Sequence, residues 1–190
     1  MVTSPPTSTK GLILITGPAR SGKSEWAETL AMRSGQTVFY LATAQIDPND
    51  AEWRNRIEQH QLRRPANWQT LCEPVNLAAT IAAYSANHCL LVDSLGTWVA
   101  NLLENDNESW EKTSQQLITS LQQASGELIL VAEETGWGIV PAYKSGRLFR
   151  DRLGMLVRRI GAIANPVYLV TGGYVLNLCE LGSPLPQQSN

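Results

Sequence analysis

Leu12-Ile13-Leu14-Ile15-Thr16 runs straight into Gly17-Pro18-Ala19-Arg20-Ser21-Gly22-Lys23-Ser24. The first five residues are apolar or β-branched with no alternation, the pattern of a strand buried on both faces. The next eight match G-x-x-x-x-G-K-[ST], and a helical stretch continues to Arg33 before Ser34-Gly35 stop it. A strand, a glycine-rich turn and a helix in that order make a phosphate-binding loop. Backbone N–H groups of the turn and the positive end of the helix converge on one anion. Lys23 is expected as an exposed point charge for the β- and γ-phosphates, and the Ser24 hydroxyl as a ligand for Mg²⁺.

The same buried-strand pattern recurs at 37–42, 89–93, 127–132 and 167–171. Shorter strands are predicted at 68–71 and, as an edge after Gly172-Gly173, at 174–178. Helices are predicted from an Asn49-Asp50 cap to about Arg63, after Pro74, and over 95–103, 110–124 and 147–164. Apolar strands separated by helices indicate an α/β fold, a largely parallel sheet covered by helices on both faces. Ligands of such sheets sit beyond the strand C-terminal ends, so the residues after each strand carry the functional reading.

With 190 residues, 43% apolar and 17% charged, the chain is expected to form a single domain over 11–182, with flexible tails at 1–10 and 183–190. A net charge of −2 argues against a broad nucleic-acid footprint. Three widely spaced cysteines suggest a reduced, cytoplasmic protein with no disulfide framework. No apolar run approaches the roughly 20 residues that span a bilayer, and the Ser/Thr/Pro-rich start reads as neither signal nor anchor.

Asp93 ends the Cys89–Val92 run as an acidic element that holds Mg²⁺ directly or through water, or else as a helix N-cap. The stretch 53–65 packs arginines around His60, either as a solvated basic helix or as a phosphate pocket with a histidine nucleophile or acid/base. After the strand at 127–132, Glu133-Glu134 opens a glycine loop whose carboxylates can position Mg²⁺ or take a proton; in the alternative, Trp137 and Ile139 simply fill core. The loop and Asp93 alone fit kinases, GTPase switches, motors and nucleotidyl-transfer enzymes alike.

LILITGPARSGKS, FYLATAQ, RIEQHQLRRP, LLVDSLGTWVANLL and EETGWGIVP follow one another in this chain. Their order and spacing resemble the bifunctional adenosylcobinamide kinase/adenosylcobinamide-phosphate guanylyltransferase family of cobalamin biosynthesis, over about residues 11–178. The resemblance implies a P-loop, RecA-like fold. It implies phosphorylation of the corrinoid's aminopropanol hydroxyl with ATP or GTP, then GMP transfer from GTP through a GMP–histidine intermediate. Carried over, the nucleophile is His60. Nucleotide contacts fall on Gly17 to Ser24 (Gly17, Pro18, Ala19, Arg20, Ser21, Gly22, Lys23, Ser24), on Ala42, Thr43 and Ala44, on Gln61, Leu62, Arg63 and Arg64, and on Asp93. Lys23 joins His60 as catalytic, Ser24 and Asp93 take Mg²⁺, and Glu134 stands on the acceptor side. One departure is Cys72, followed by Glu73, where relatives carry a carboxylate. The resemblance also implies a homotrimer with active sites between subunits. The corrinoid itself is a large partner, for which the Trp137 loop is the candidate surface.

Overall fold

The computed structural model describes residues 11–45, 55, 58, 64–83 and 88–186. Strands β1 (Leu12–Gly17), β2 (Thr37–Ala42), β3 (Gln69–Cys72), β4 (His88–Asp93), β5 (Glu127–Glu133), β6 (Val167–Thr171) and β7 (Tyr174–Asn177) form one sheet, ordered β3-β2-β4-β5-β1-β6-β7. The first six are parallel. β7 turns back antiparallel on β6 through Gly172-Gly173, both at positive φ. Around them lie α1 (Lys23–Arg33), α2 (Leu77–Ala82), α3 (Leu95–Asn101), α4 (Asn107–Gln123), α5 (Lys144–Gly161) and α6 (Leu178–Leu181).

Period-two alternation along the central strands feeds two cores. Ile13, Ile15, Tyr40, Leu91, Ile129 and Val131 pack on one face with Ala27 and Ala31 of α1. Leu14, Leu41, Leu90, Val92, Leu128 and Leu130 pack on the other, against α2, α3, α4 and α5. Both faces are therefore dry, which is why these strands read as unbroken apolar runs.

Several boundaries differ from the sequence expectation. α4 starts at Asn107 rather than Trp110 because the Asp106 side chain accepts the Ser109 N–H at 2.8 Å. α5 starts at Lys144 rather than Arg147, and Arg147 folds back onto the carbonyls of Pro141 and Ala142 at 3.0 and 2.6 Å. The short α6 was not expected. Its start is held by Asn177, which accepts the Cys179 N–H at 3.1 Å. Of the helix expected from the Asn49-Asp50 cap, Asn55 and Glu58 are helical and most of the remainder lies outside the described residues.

One buried cation ties the second core together. Arg152, only 2% exposed, donates to the carbonyls of Leu102, Leu103 and Asn105 at 3.1, 3.1 and 2.6 Å, just beyond the end of α3. Its guanidinium also lies 5.1 Å from the Trp110 ring centroid. Three carbonyl oxygens take the two terminal nitrogens of the fork, so the charge sits in a polar socket inside an apolar layer, while Nε is buried without a partner among the described residues. Among the described residues, no helix is long and apolar enough to cross a membrane.

Candidate active site

Parallel register brings the C-terminal ends of three strands to one edge of the sheet, with β4 ending two residues short of β1 and β5. Gly17 of β1 pairs with Glu133 of β5, and Asp93 of β4 pairs with Val131 of β5. The crevice beyond these ends is where a parallel sheet places its ligand.

The phosphate-binding loop occupies one wall. Gly22 caps α1 with φ 92°, a conformation a side chain would strain, and Arg20 also lies at positive φ (59°). Ala19 and Arg20 are exposed at the loop tip, while Ser24 is half-buried in the first turn of α1. Lys23 departs from expectation, because it is buried rather than exposed, and its Nζ lies 3.4 Å from the Pro18 carbonyl of its own loop. Its aliphatic stem packs inward, and the ammonium stays within the loop that would cradle the phosphates.

Asp93 forms the second wall. Its Oδ2 accepts the Tyr40 hydroxyl at 2.8 Å, across 53 residues of sequence. It precedes Ser94, the N-cap of α3, which accepts the Thr97 N–H, so Ser94 rather than Asp93 takes the capping role. The Asp93–Ser94 peptide is cis. Thr43 is fully buried and clasps this turn, donating to the Ser94 carbonyl at 2.7 Å and accepting its N–H at 2.9 Å. It also meets the Thr97 hydroxyl. Asn101 fixes the Thr43 carbonyl at 2.7 Å. Both polar ends of Thr43 thus hold the β2 end against α3. Ala42, beside it, is level with Asp93 and with Cys72.

Glu133 and Glu134 separate in role. Glu133 Oε2 accepts the Gly96 N–H at 3.0 Å, tying β5 to the first turn of α3. Glu134 sends its N–H to the Gly17 carbonyl at 2.8 Å and folds its carboxylate onto Gly136 N–H at 2.8 Å. A Cβ on Gly96 would lie 2.0 Å from Glu133 Oε2. Gly96→Ala should therefore destabilise the protein by about 1–2 kcal/mol despite alanine's better helix propensity, because Glu133 must leave its donor. In a Glu133→Ala background the loss should vanish, a non-additivity read from urea midpoints.

Arg64 lies over the Tyr40 ring, its Cζ 3.3 Å from the centroid, and Nη1 reaches Thr70 Oγ1 at 3.4 Å. His60, Gln61, Leu62 and Arg63 lie outside the described residues. His88, the other histidine, opens β4 beside Phe39, at the strand end away from the crevice. Cys72 is exposed at the end of β3, and Glu73 follows it. This glutamate accepts the N–H groups of Val75 and Asn76 at 3.1 and 2.6 Å and the Thr80 hydroxyl at 3.0 Å, supplying the cap for α2 that Asn76 does not make. Trp137 and Ile139 are 63% and 96% exposed, so they do not fill core.

Sequence reasoning missed the Tyr40–Asp93 and Glu133–Gly96 contacts. A polar side chain within an apolar strand was the available signal for Tyr40.

Among the described residues, no cluster of three or more His, Cys, Asp or Glu could hold a metal unaided. The Ser24 hydroxyl in the first turn of α1 and the Asp93 carboxylate at the end of β4 are oxygen donors of the kind a nucleotide-bound Mg²⁺ takes beside phosphates and water.

Known proteins share this fold. A Pyrococcus horikoshii OT3 protein superposes with TM-score 0.55 at 5% identity, covering 95% of this chain and 94% of that one. An ATPase of the type III secretion system of pathogenic bacteria superposes with TM-score 0.53 at 15% identity, covering 90% and 53%. These likenesses show the fold, a largely parallel sheet flanked by helices. In sequence, the chain is 42% identical over 174 residues to the bifunctional adenosylcobalamin biosynthesis protein CobP of Pseudomonas aeruginosa, covering 90% of this chain and 98% of that one. It is 38% identical over 177 residues to the corresponding CobU proteins of Escherichia coli and Salmonella typhimurium, covering 85% and 96%. Residues 13–178 match the model of one family, and the chain therefore belongs to it: cobinamide kinase / cobinamide phosphate guanyltransferase.

Proposed function

We propose that the crevice beyond β1, β4 and β5 serves both activities of this bifunctional cobinamide kinase and guanylyltransferase. The observation that carries the reading is that the phosphate loop, Asp93 and Glu133 lie at the C-terminal ends of three adjoining parallel strands. In the kinase step, ATP or GTP lies with its phosphates on Gly17 to Ser24. The aminopropanol hydroxyl of adenosylcobinamide attacks the γ-phosphorus, the bond to the β-bridging oxygen breaks, and the nucleoside diphosphate leaves. Lys23 neutralises charge on the transferred group. Ser24 and Asp93 would hold Mg²⁺, which supplies further neutralisation of the phosphates.

In the transfer step, the neutral imidazole of His60 attacks the α-phosphorus of GTP and pyrophosphate leaves. A phosphate oxygen of adenosylcobinamide phosphate then displaces the histidine, giving adenosylcobinamide-GDP. Ala42, Thr43, Ala44, Gln61, Leu62, Arg63 and Arg64 complete the nucleotide surface, with Thr43 acting through its clasp on the Asp93–Ser94 turn. Glu134 stands at the acceptor side. The exposed Trp137, Ile139, Val140 and Tyr143 offer the corrinoid an apolar surface in the segment between β5 and α5. A homotrimer with sites between subunits accommodates so large an acceptor. Residues 11–182 act as one catalytic unit in a cytoplasmic setting, with Cys72, Cys89 and Cys179 as free thiols.

Radiolabelled GTP tests the scheme, with and without corrinoid. Label from the α-phosphate on protein supports guanylyl transfer through the enzyme, and γ-label on corrinoid supports the kinase. Turnover only with a protein partner, and no label on either, would overturn it. Asp93→Asn should raise the Mg²⁺ concentration for half-maximal rate in both half-reactions by about tenfold or more. An unaltered Mg²⁺ titration would remove Asp93 from the metal site.

A further inference from the structure

Tyr40 stands where packing alone would put another aliphatic residue. Its core neighbours on the same face include Val38, Cys89 and Leu91, and it is 2% exposed. A phenol buried there costs free energy unless its hydroxyl is bonded. The bond is made in one direction only, toward the strand C-terminal ends. Tyr40 is level with Leu91 on β4, and its hydroxyl reaches the next same-face residue, Asp93, at 2.8 Å. In this bond the phenol hydroxyl donates and the carboxylate accepts.

The ring face has a second task. Arg64 stacks on it at 3.3 Å and reaches Thr70, the residue level with Tyr40 on β3. Arg64 follows His60 by four residues, so covalent geometry alone keeps their Cα atoms within about 14 Å. Fixing Arg64 limits the volume the imidazole can sweep, which raises its effective concentration at the phosphates.

We infer that Tyr40 is a positioning residue for both half-reactions: its hydroxyl aims the Asp93 carboxylate, and its ring seats Arg64 as the anchor of the His60 segment. The inference rests on the assignment of Asp93 to the metal and His60 to the nucleophile. It adds one residue through which the two chemistries share a support.

Tyr40→Phe keeps the ring and removes the hydroxyl. Mn²⁺ binding in the presence of a non-hydrolysable GTP analogue, followed by electron paramagnetic resonance, should weaken about tenfold. Both half-reactions should slow by a similar factor, while the GMP adduct seen by intact-protein mass still forms at saturating metal. Tyr40→Leu should show the same metal defect and slow adduct formation about tenfold more than the kinase step. Arg64→Ala should slow the adduct and, at saturating GTP analogue, weaken Mn²⁺ binding less than Tyr40→Phe does. Wild-type Mn²⁺ affinity in Tyr40→Phe overturns the inference, as does adduct formation in Arg64→Ala at the wild-type rate. Rates that fall only with the folded fraction, judged by melting curves, overturn it too. Asp93→Asn separates the two levels. If it lowers Mn²⁺ affinity and Tyr40→Phe does not, the role of Tyr40 fails alone; if neither does, the metal assignment fails with it.

Discussion

With His60 replaced by alanine, GTP should leave no GMP on the protein, and guanylyl transfer to adenosylcobinamide phosphate should fall below detection. A neutral imidazole nitrogen carries the lone pair that attacks phosphorus. Nothing at that position replaces it once the ring is gone. The kinase step should stay within a few-fold of wild type, because the γ-phosphoryl passes directly to a bound hydroxyl through positioning and charge stabilisation. The wild-type adduct should be labile in acid and comparatively stable in base, as a phosphoramidate is and a serine ester is not. Intact-protein mass before and after acid treatment checks both points. An adduct persisting in His60→Ala would assign the nucleophile elsewhere, and equal loss of both activities would make His60 a binding residue.

Lys23→Ala should have the opposite profile, lowering both half-reactions by about 10²–10³ in kcat. Each reaction expels a phosphate-bearing leaving group over the same loop, and each needs the same ammonium. The lysine stem is buried and its Nζ lies 3.4 Å from one loop carbonyl, so some stability goes with it. The stability loss should remain small beside the catalytic one, since no tight partner is left stranded. Circular dichroism and nucleotide titration separate the two effects. Turnover at the wild-type rate would sink the assignment of the loop.

The sheet was legible because a parallel strand covered on both faces leaves a mark that needs no partner to interpret. Ile13 and Leu14 enter opposite cores, so no polar residue interrupts the run. The phosphate loop was legible for a related reason, since its function lies in a contiguous backbone turn. Tyr40 and Asp93 were not readable as a pair, because their bond depends on β2 lying beside β4 rather than beside β1. Glu133 was legible as a carboxylate at a strand end, but its tie to Gly96 required knowing where α3 begins. Lys23 was misjudged as exposed because motif spacing fixes the end of its side chain and says nothing of what covers the stem. Helix starts at Asn107 and Lys144 slipped by a turn. The cap at Asp106 was visible in the sequence, whereas the fold-back of Arg147 onto Pro141 and Ala142 was not.

The socket around Arg152 bears on how damaging substitutions in this family should be interpreted. α3 starts directly after Asp93, and its far end is gripped by a guanidinium from α5. Seven residues of helix make a strut about 10 Å long. A change at one end shifts the other as a lever does. Lysine at position 152 would keep the charge, but a single ammonium cannot span three carbonyls held in one plane of donors. A screen that ranks positions by distance from the nucleotide would score this site as harmless. Selection on corrinoid-dependent growth should instead recover losses there, and they should be rescued by lower temperature rather than by added nucleotide.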